Sequence, residues 1–137
     1  ERQRMVNPRK AYPIDPGMIP LYERSGRANL GAALETAVLL ELERRGAELA
    51  YLRTASGYEV DFHARLPEGR VLLVQVCAKI ESEETWAREV RALLEAAAEH
   101  PGTEPWLITI EPLPAGKTLP PPLCHVLAAE WFLELSP

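Results

Sequence analysis

The stretch YEVDFHARLPEGRVLLVQVCAK, residues 58–79, decides the fold class. Two runs rich in β-branched and aromatic residues flank Pro67, Glu68 and Gly69, which is the pattern of two strands joined by a tight turn. In the first run Tyr58, Val60, Phe62, Ala64 and Leu66 share one face by period two, and Glu59, Asp61, His63 and Arg65 share the other. In the second, Leu72, Val74, Val76, Ala78 and Ile80 line one face, and Val71, Leu73, Gln75, Cys77 and Lys79 line the other. Both faces of the second run begin apolar, as in a central strand covered on both sides. Polar residues enter only toward its end, at Gln75 and Lys79, and a site would open there.

Helices are expected on either side of this pair. Apolar periodicity runs from about Ala28 to Arg45 and stops at Gly46, with Asn29 as a possible cap. A second helix opens near Ser82, with Glu83 and Glu84 favouring its dipole, carries Trp86, Val90, Leu93, Leu94 and Ala97, and ends at His100-Pro101-Gly102. The stripe reads as core. Residues 11–17 (AYPIDPG) read as a short extended piece ended by a Pro-Gly turn, 49–55 and 105–111 as strands, and 112–122 as a stiff Pro-rich loop. CHVLAAEWFLEL (124–135) reads as a strand leading into a short apolar element. The order β-α-β-β-β-α-β-β predicts one α/β domain over 1–137, with a mixed central sheet flanked by helices.

Hydrophobic residues make up 47% of the 137 and charged residues 26%, enough for a globular domain with a real core. No apolar run approaches the roughly 20 residues of a membrane helix, and no basic-then-apolar signal peptide opens the chain. Two cysteines without ligand-like spacing point to reduced thiols in the cytoplasm, with a Cys77–Cys124 disulfide left open. The chain begins with Glu1, as a piece of a longer protein would. The net charge of −5 argues against non-specific nucleic-acid binding by the whole surface. Charge is uneven: residues 1–27, a basic entry segment, hold six Lys/Arg against three acids, whereas the remainder holds nine against seventeen.

Two carboxylates stand out. At ~100° per residue, Glu35 falls inside the apolar arc of Leu34, Val38, Leu39 and Leu42, where a carboxylate needs a cation or hydrogen bonds. Asp61 stands on the first strand, beside Gln75 and Cys77 on the second. Metal-assisted phosphodiester hydrolysis needs a few hard oxygen ligands and a cation beside the attacking water. Asp61, Gln75, Glu35 and the Val76 carbonyl could supply the oxygens. Cys77 brings no positive charge at neutral pH and, as a soft ligand, suits zinc better than magnesium. Lys79 has the same side parity as Cys77 but lies roughly 7 Å farther along an ideal strand. His63, His100 and His125 are scattered, and the adjacent Cys124 and His125 read as packing.

These residues resemble a family. NLGAALETAVLLELERRG (29–46), AYLRTASGYEVDF (50–62) and VLLVQVCAK (71–79) are similar to the C-terminal domain, of unknown function, of a large prokaryotic group of AAA-type ATPases. That domain has a PD-(D/E)XK nuclease-like, or restriction-endonuclease-like, fold. The family's G-x-x-x-E-N matches Gly31 and Glu35, with Thr36 in place of Asn; its G-x-E-V-D-F matches Gly57, Glu59 and Asp61; its (E/Q)-V-K matches Gln75 and Cys77. NPRKAYPIDPGMI (7–19) and VLAAEWFLEL (126–135) are similar to its entry and its terminal strand and tail, so the resemblance covers almost the whole chain. It implies a restriction-endonuclease-like mixed sheet, Mg²⁺ held by Glu35, Asp61 and Gln75, and Lys79 as the candidate substitute for the motif lysine. DNA and an AAA-type ATPase module are the implied partners. No G-x-x-x-x-G-K-[ST] loop occurs, so the chain itself has no nucleotide site of that kind. Two functions follow: a nuclease-like domain impaired at Cys77 that serves as a nucleic-acid or protein interaction module, or an active Mg²⁺-dependent DNA endonuclease relying on Lys79.

Overall fold

The computed structural model describes residues 12–18 and 29–134. The basic entry segment, apart from residues 12–18, therefore lies outside the described residues. In chain order the elements are a 3-10 turn at Pro16–Met18, α1 (Leu30–Arg44), β1 (Glu48–Arg53), β2 (Glu59–Arg65), β3 (Val71–Cys77), α2 (Glu83–Glu99), β4 (Glu104–Thr109), β5 (Cys124–Leu127) and α3 (Ala128–Leu133). The Pro-Gly turn expected to end the 11–17 piece is present as the 3-10 turn, where Asp15 Oδ1 accepts from Gly17 N at 2.7 Å and the Asp15 carbonyl accepts from Met18 N, but no strand forms ahead of it among residues 12–18. An Asp ahead of Pro-Gly favours this local closure over a strand.

Both long helices start where their caps predict. Asn29 accepts from Ala32 N at 3.0 Å, and Ser82 accepts from Thr85 N at 3.1 Å. Gly46 and Gly102, just past the two helices, take φ of +76° and +84°, a region that costs glycine least.

The five strands form one mixed sheet in the order β1-β2-β3-β4-β5. β1, β2 and β3 are an antiparallel meander; α2 then carries the chain to β4, which runs parallel to β3, and β5 runs parallel to β4. β3 is the central strand, with Leu72, Leu73, Val74 and Gln75 all buried. One face packs Phe62, Ala64, Leu72, Val74 and Ile108 against Leu34, Val38 and Leu42 of α1 and Trp131 of α3. The other packs Val60, Leu73 and Leu107 against Ala92, Leu93 and Ala96 of α2. The Trp86 stripe is core as expected through Val90, Leu93 and Leu94. Trp86 itself is half-buried under the Lys117 ammonium, 5.3 Å from its ring centre.

Simple alternation fails once in β2. Ala50 pairs with His63 and Leu52 with Val60, so β2 carries one extra residue, and Asp61 and Phe62 together face Tyr51. This is a β-bulge. It turns Val60 into the α2-side core while Phe62 and Ala64 stay on the α1 side, so the five apolar residues of 58–66 do not share a face. Ile80, beyond the end of β3, likewise packs on the α2 side and not with Leu72 and Val74.

His63 and His100 join β2 to the end of α2, with ring centres 6.1 Å apart and planes at 67°. Burial, and then repulsion from His100, hold the His63 imidazole below the usual histidine range. A ring that resists protonation when folded makes the unfolded chain the better proton acceptor. The His63 contribution to stability is therefore fully present above the ordinary histidine range and is lost as the pH falls through the lowered folded value. Urea unfolding of wild type and His63→Gln between pH 7.5 and 5 checks this; the variant should show the shallower acid decline, and parallel profiles would remove His63 as a cause.

Candidate functional site

The bulge brings Asp61 to the point where β2 and β3 part. The paired register between these strands runs from Arg65–Val71 to Phe62–Val74 and goes no further. Side chains take over from there. Asp61 Oδ2 accepts from Val76 N at 2.9 Å, and Gln75 Oε1 accepts from Asp61 N at 3.3 Å. Both bonds occupy places that the backbone ladder has vacated. The structure thus brings Asp61 and Gln75 together, as the sequence pairing suggested.

Gln75 points at α2, where Glu89 meets it. Gln75 Nε2 donates to Glu89 Oε2 at 2.6 Å, and Arg88 Nη2 and Nε donate to Glu89 Oε1 at 2.7 and 3.1 Å. Glu89 is only 4% exposed, and Gln75 9%. A carboxylate can only accept, so Glu89 orients the Gln75 amide: its NH₂ faces the helix and its oxygen faces Asp61. The resulting chain runs Arg88–Glu89–Gln75–Asp61–Val76. Sequence reading passed over Glu89. The signal was there, since Glu89 lies three residues after Trp86 and four before Leu93, inside the apolar stripe, just as Glu35 lies inside that of α1.

Cys77 faces the same side, one alternation beyond Gln75, and is half-buried. Its Sγ donates to the Lys79 carbonyl at 3.3 Å. Burial first, then the negative charge of Glu89, and to a lesser degree that of Asp61, push the thiol above its ordinary range, although Arg88 pulls it down. Position 77 is therefore neutral at physiological pH. Neither Cys77 nor Cys124 is in a disulfide. Iodoacetamide at pH 8 should modify exposed Cys124 well before Cys77. In a Cys124→Ser background, Glu89→Gln should speed the reaction of Cys77; an unchanged rate would mean that the Glu89 charge does not reach the thiol.

Lys79 does not stand beside the thiol's polar partners. Its ammonium is 3.8 Å from Glu81 Oε1, and its side chain is 55% exposed. Glu35 is held in another set. Tyr12 Oη donates to Glu35 Oε1 at 2.5 Å, and Tyr12 packs near Tyr51 and Phe62 with ring centres 6.4 and 6.1 Å away. Burial and the hydrogen bonds to Glu35 and Tyr51 push the Tyr12 phenol upward, so it stays a donor. This contact answers the cost of placing Glu35 on a core-facing arc. Thr36, where the resembled family carries Asn, is buried and donates to the Ala32 carbonyl at 2.8 Å, a bond within its own helix.

Across the sheet, Thr109 pairs with Cys77. Its single hydroxyl proton goes to the Glu111 carbonyl at 2.5 Å, so at 2.7 Å from His125 Nε2 it must accept, which assigns His125 the Nε2–H tautomer. Burial keeps that imidazole below its ordinary range.

Most side-chain oxygens of the site already accept hydrogen bonds. Gln75 Oε1 serves Asp61 N, both Glu89 oxygens serve Gln75 and Arg88, and one Asp61 oxygen serves Val76 N. Among the described residues, no group of three or more His, Cys, Asp or Glu is placed to hold a metal ion. The arrangement fits a closed hydrogen-bond network better than a cage for Mg²⁺, which asks for several carboxylate oxygens in near-octahedral order. No described helix is long and apolar enough to cross a membrane. No family model, curated protein or solved structure matches the chain.

Proposed function

We propose that this chain is a restriction-endonuclease-like domain that has lost phosphodiester cleavage and acts in the cytoplasm as a protein-interaction module associated with an AAA-type ATPase. The element order supports the nuclease-like reading: a helix, an antiparallel three-strand meander, then a helix crossing to a parallel fourth strand, with Asp61 where the meander splays. The observation that carries the loss of cleavage lies at position 77. There a neutral thiol sits under the influence of two carboxylates, Glu89 and Asp61, where phosphoryl chemistry calls for a cation.

The alternative, an active Mg²⁺-dependent endonuclease, needs Lys79 to turn from Glu81 into the site and needs Glu35, Asp61 and Gln75 to exchange their hydrogen bonds for the metal. A protein partner is favoured over nucleic acid because residues 28–137 carry nine Lys/Arg against seventeen acids, a surface that repels phosphates.

Labelled single- and double-stranded DNA, incubated with Mg²⁺ or Mn²⁺, tests the reading. The wild-type chain should give no cleavage beyond a chelator control. Cys77→Lys returns a cation between Asp61 and Glu89 and should raise metal-dependent cleavage about 10²-fold, the scale of one charge-stabilising group. That gain should vanish when Asp61→Ala is added. Wild-type cleavage that disappears in both Asp61→Ala and Lys79→Ala would establish the alternative instead.

A further inference from the structure

We draw no further inference here: the strongest candidate, the open apolar groove between the Pro16–Met18 turn, α1 and α3 that is lined by Pro16, Ala37, Leu40 and Phe132, is an unpartnered apolar face, and nothing in the structure shows what covers it.

Discussion

Replacing Trp131 with alanine is expected to cost about 3–5 kcal/mol, the range for deleting a buried aromatic ring. Trp131 is 1% exposed in the α1-side core and packs near Phe132, with ring centres 5.4 Å apart. Its ring also lies 4.6 Å from the Arg45 guanidinium, and Arg45 Nη2 donates to the Trp131 carbonyl at 2.7 Å. α3 spans only Ala128–Leu133, far below the ~12–15 residues at which an isolated helix becomes even marginal. It persists because Trp131 anchors it. The substitution should therefore do more than open a cavity: α3 should lose its hold on α1, and its amides should exchange faster with solvent. Trp131→Phe retains an aromatic ring in the core and should cost clearly less. Urea unfolding gives the free energies. A loss under about 1 kcal/mol would show that the ring's burial contributes little, contrary to what removal of such an area from water implies.

Glu89→Ala should be the most damaging single change at the polar site. It leaves the Gln75 amide donor buried without its acceptor, which costs about 1–3 kcal/mol. Arg88 also loses its two bonds to Glu89, but its side chain is 65% exposed, so water can replace them. Glu89→Gln keeps an acceptor oxygen and should retain most of the stability. Gln75→Leu combined with Glu89→Ala removes donor and acceptor together and should cost less than the two single changes summed, with a coupling of about 0.5–3 kcal/mol. Additivity would mean that the 2.6 Å contact contributes nothing of its own. The effect should reach Asp61: once Gln75 is unmoored, the Val76 amide loses part of its cover and exchanges faster.

Much of the framework could be read in advance because it depends on local signals. Asn29 and Ser82 cap their helices, Gly46 and Gly102 follow the helix ends, and β3 is buried on both faces as its doubly apolar pattern implied. What escaped prediction depends on relations between elements. The bulge at Asp61–Phe62 exists because β2 must match β1, so period-two counting along β2 alone misassigned Val60. For the candidate site, Asp61 and Gln75 were legible from one hairpin. Glu89 arrives from a helix fourteen residues after Gln75, and its role appears only once α2 lies across β3. Glu35 was recognisable as a core-facing acid, but its phenol partner Tyr12, twenty-three residues earlier, was not.

The Asp61 bond to Val76 N has a consequence for how such sites age. An aspartate that closes a gap between two strands is retained by folding itself, whatever becomes of the reaction around it. Loss of a catalytic lysine exposes no backbone group; loss of Asp61 leaves an amide without its acceptor. Under the proposed nuclease-like reading, decay would proceed unevenly, erasing the cation first and leaving the carboxylate with a structural occupation. On that proposed reading the acid is the poorer witness to activity, and the residue at position 77 the better one.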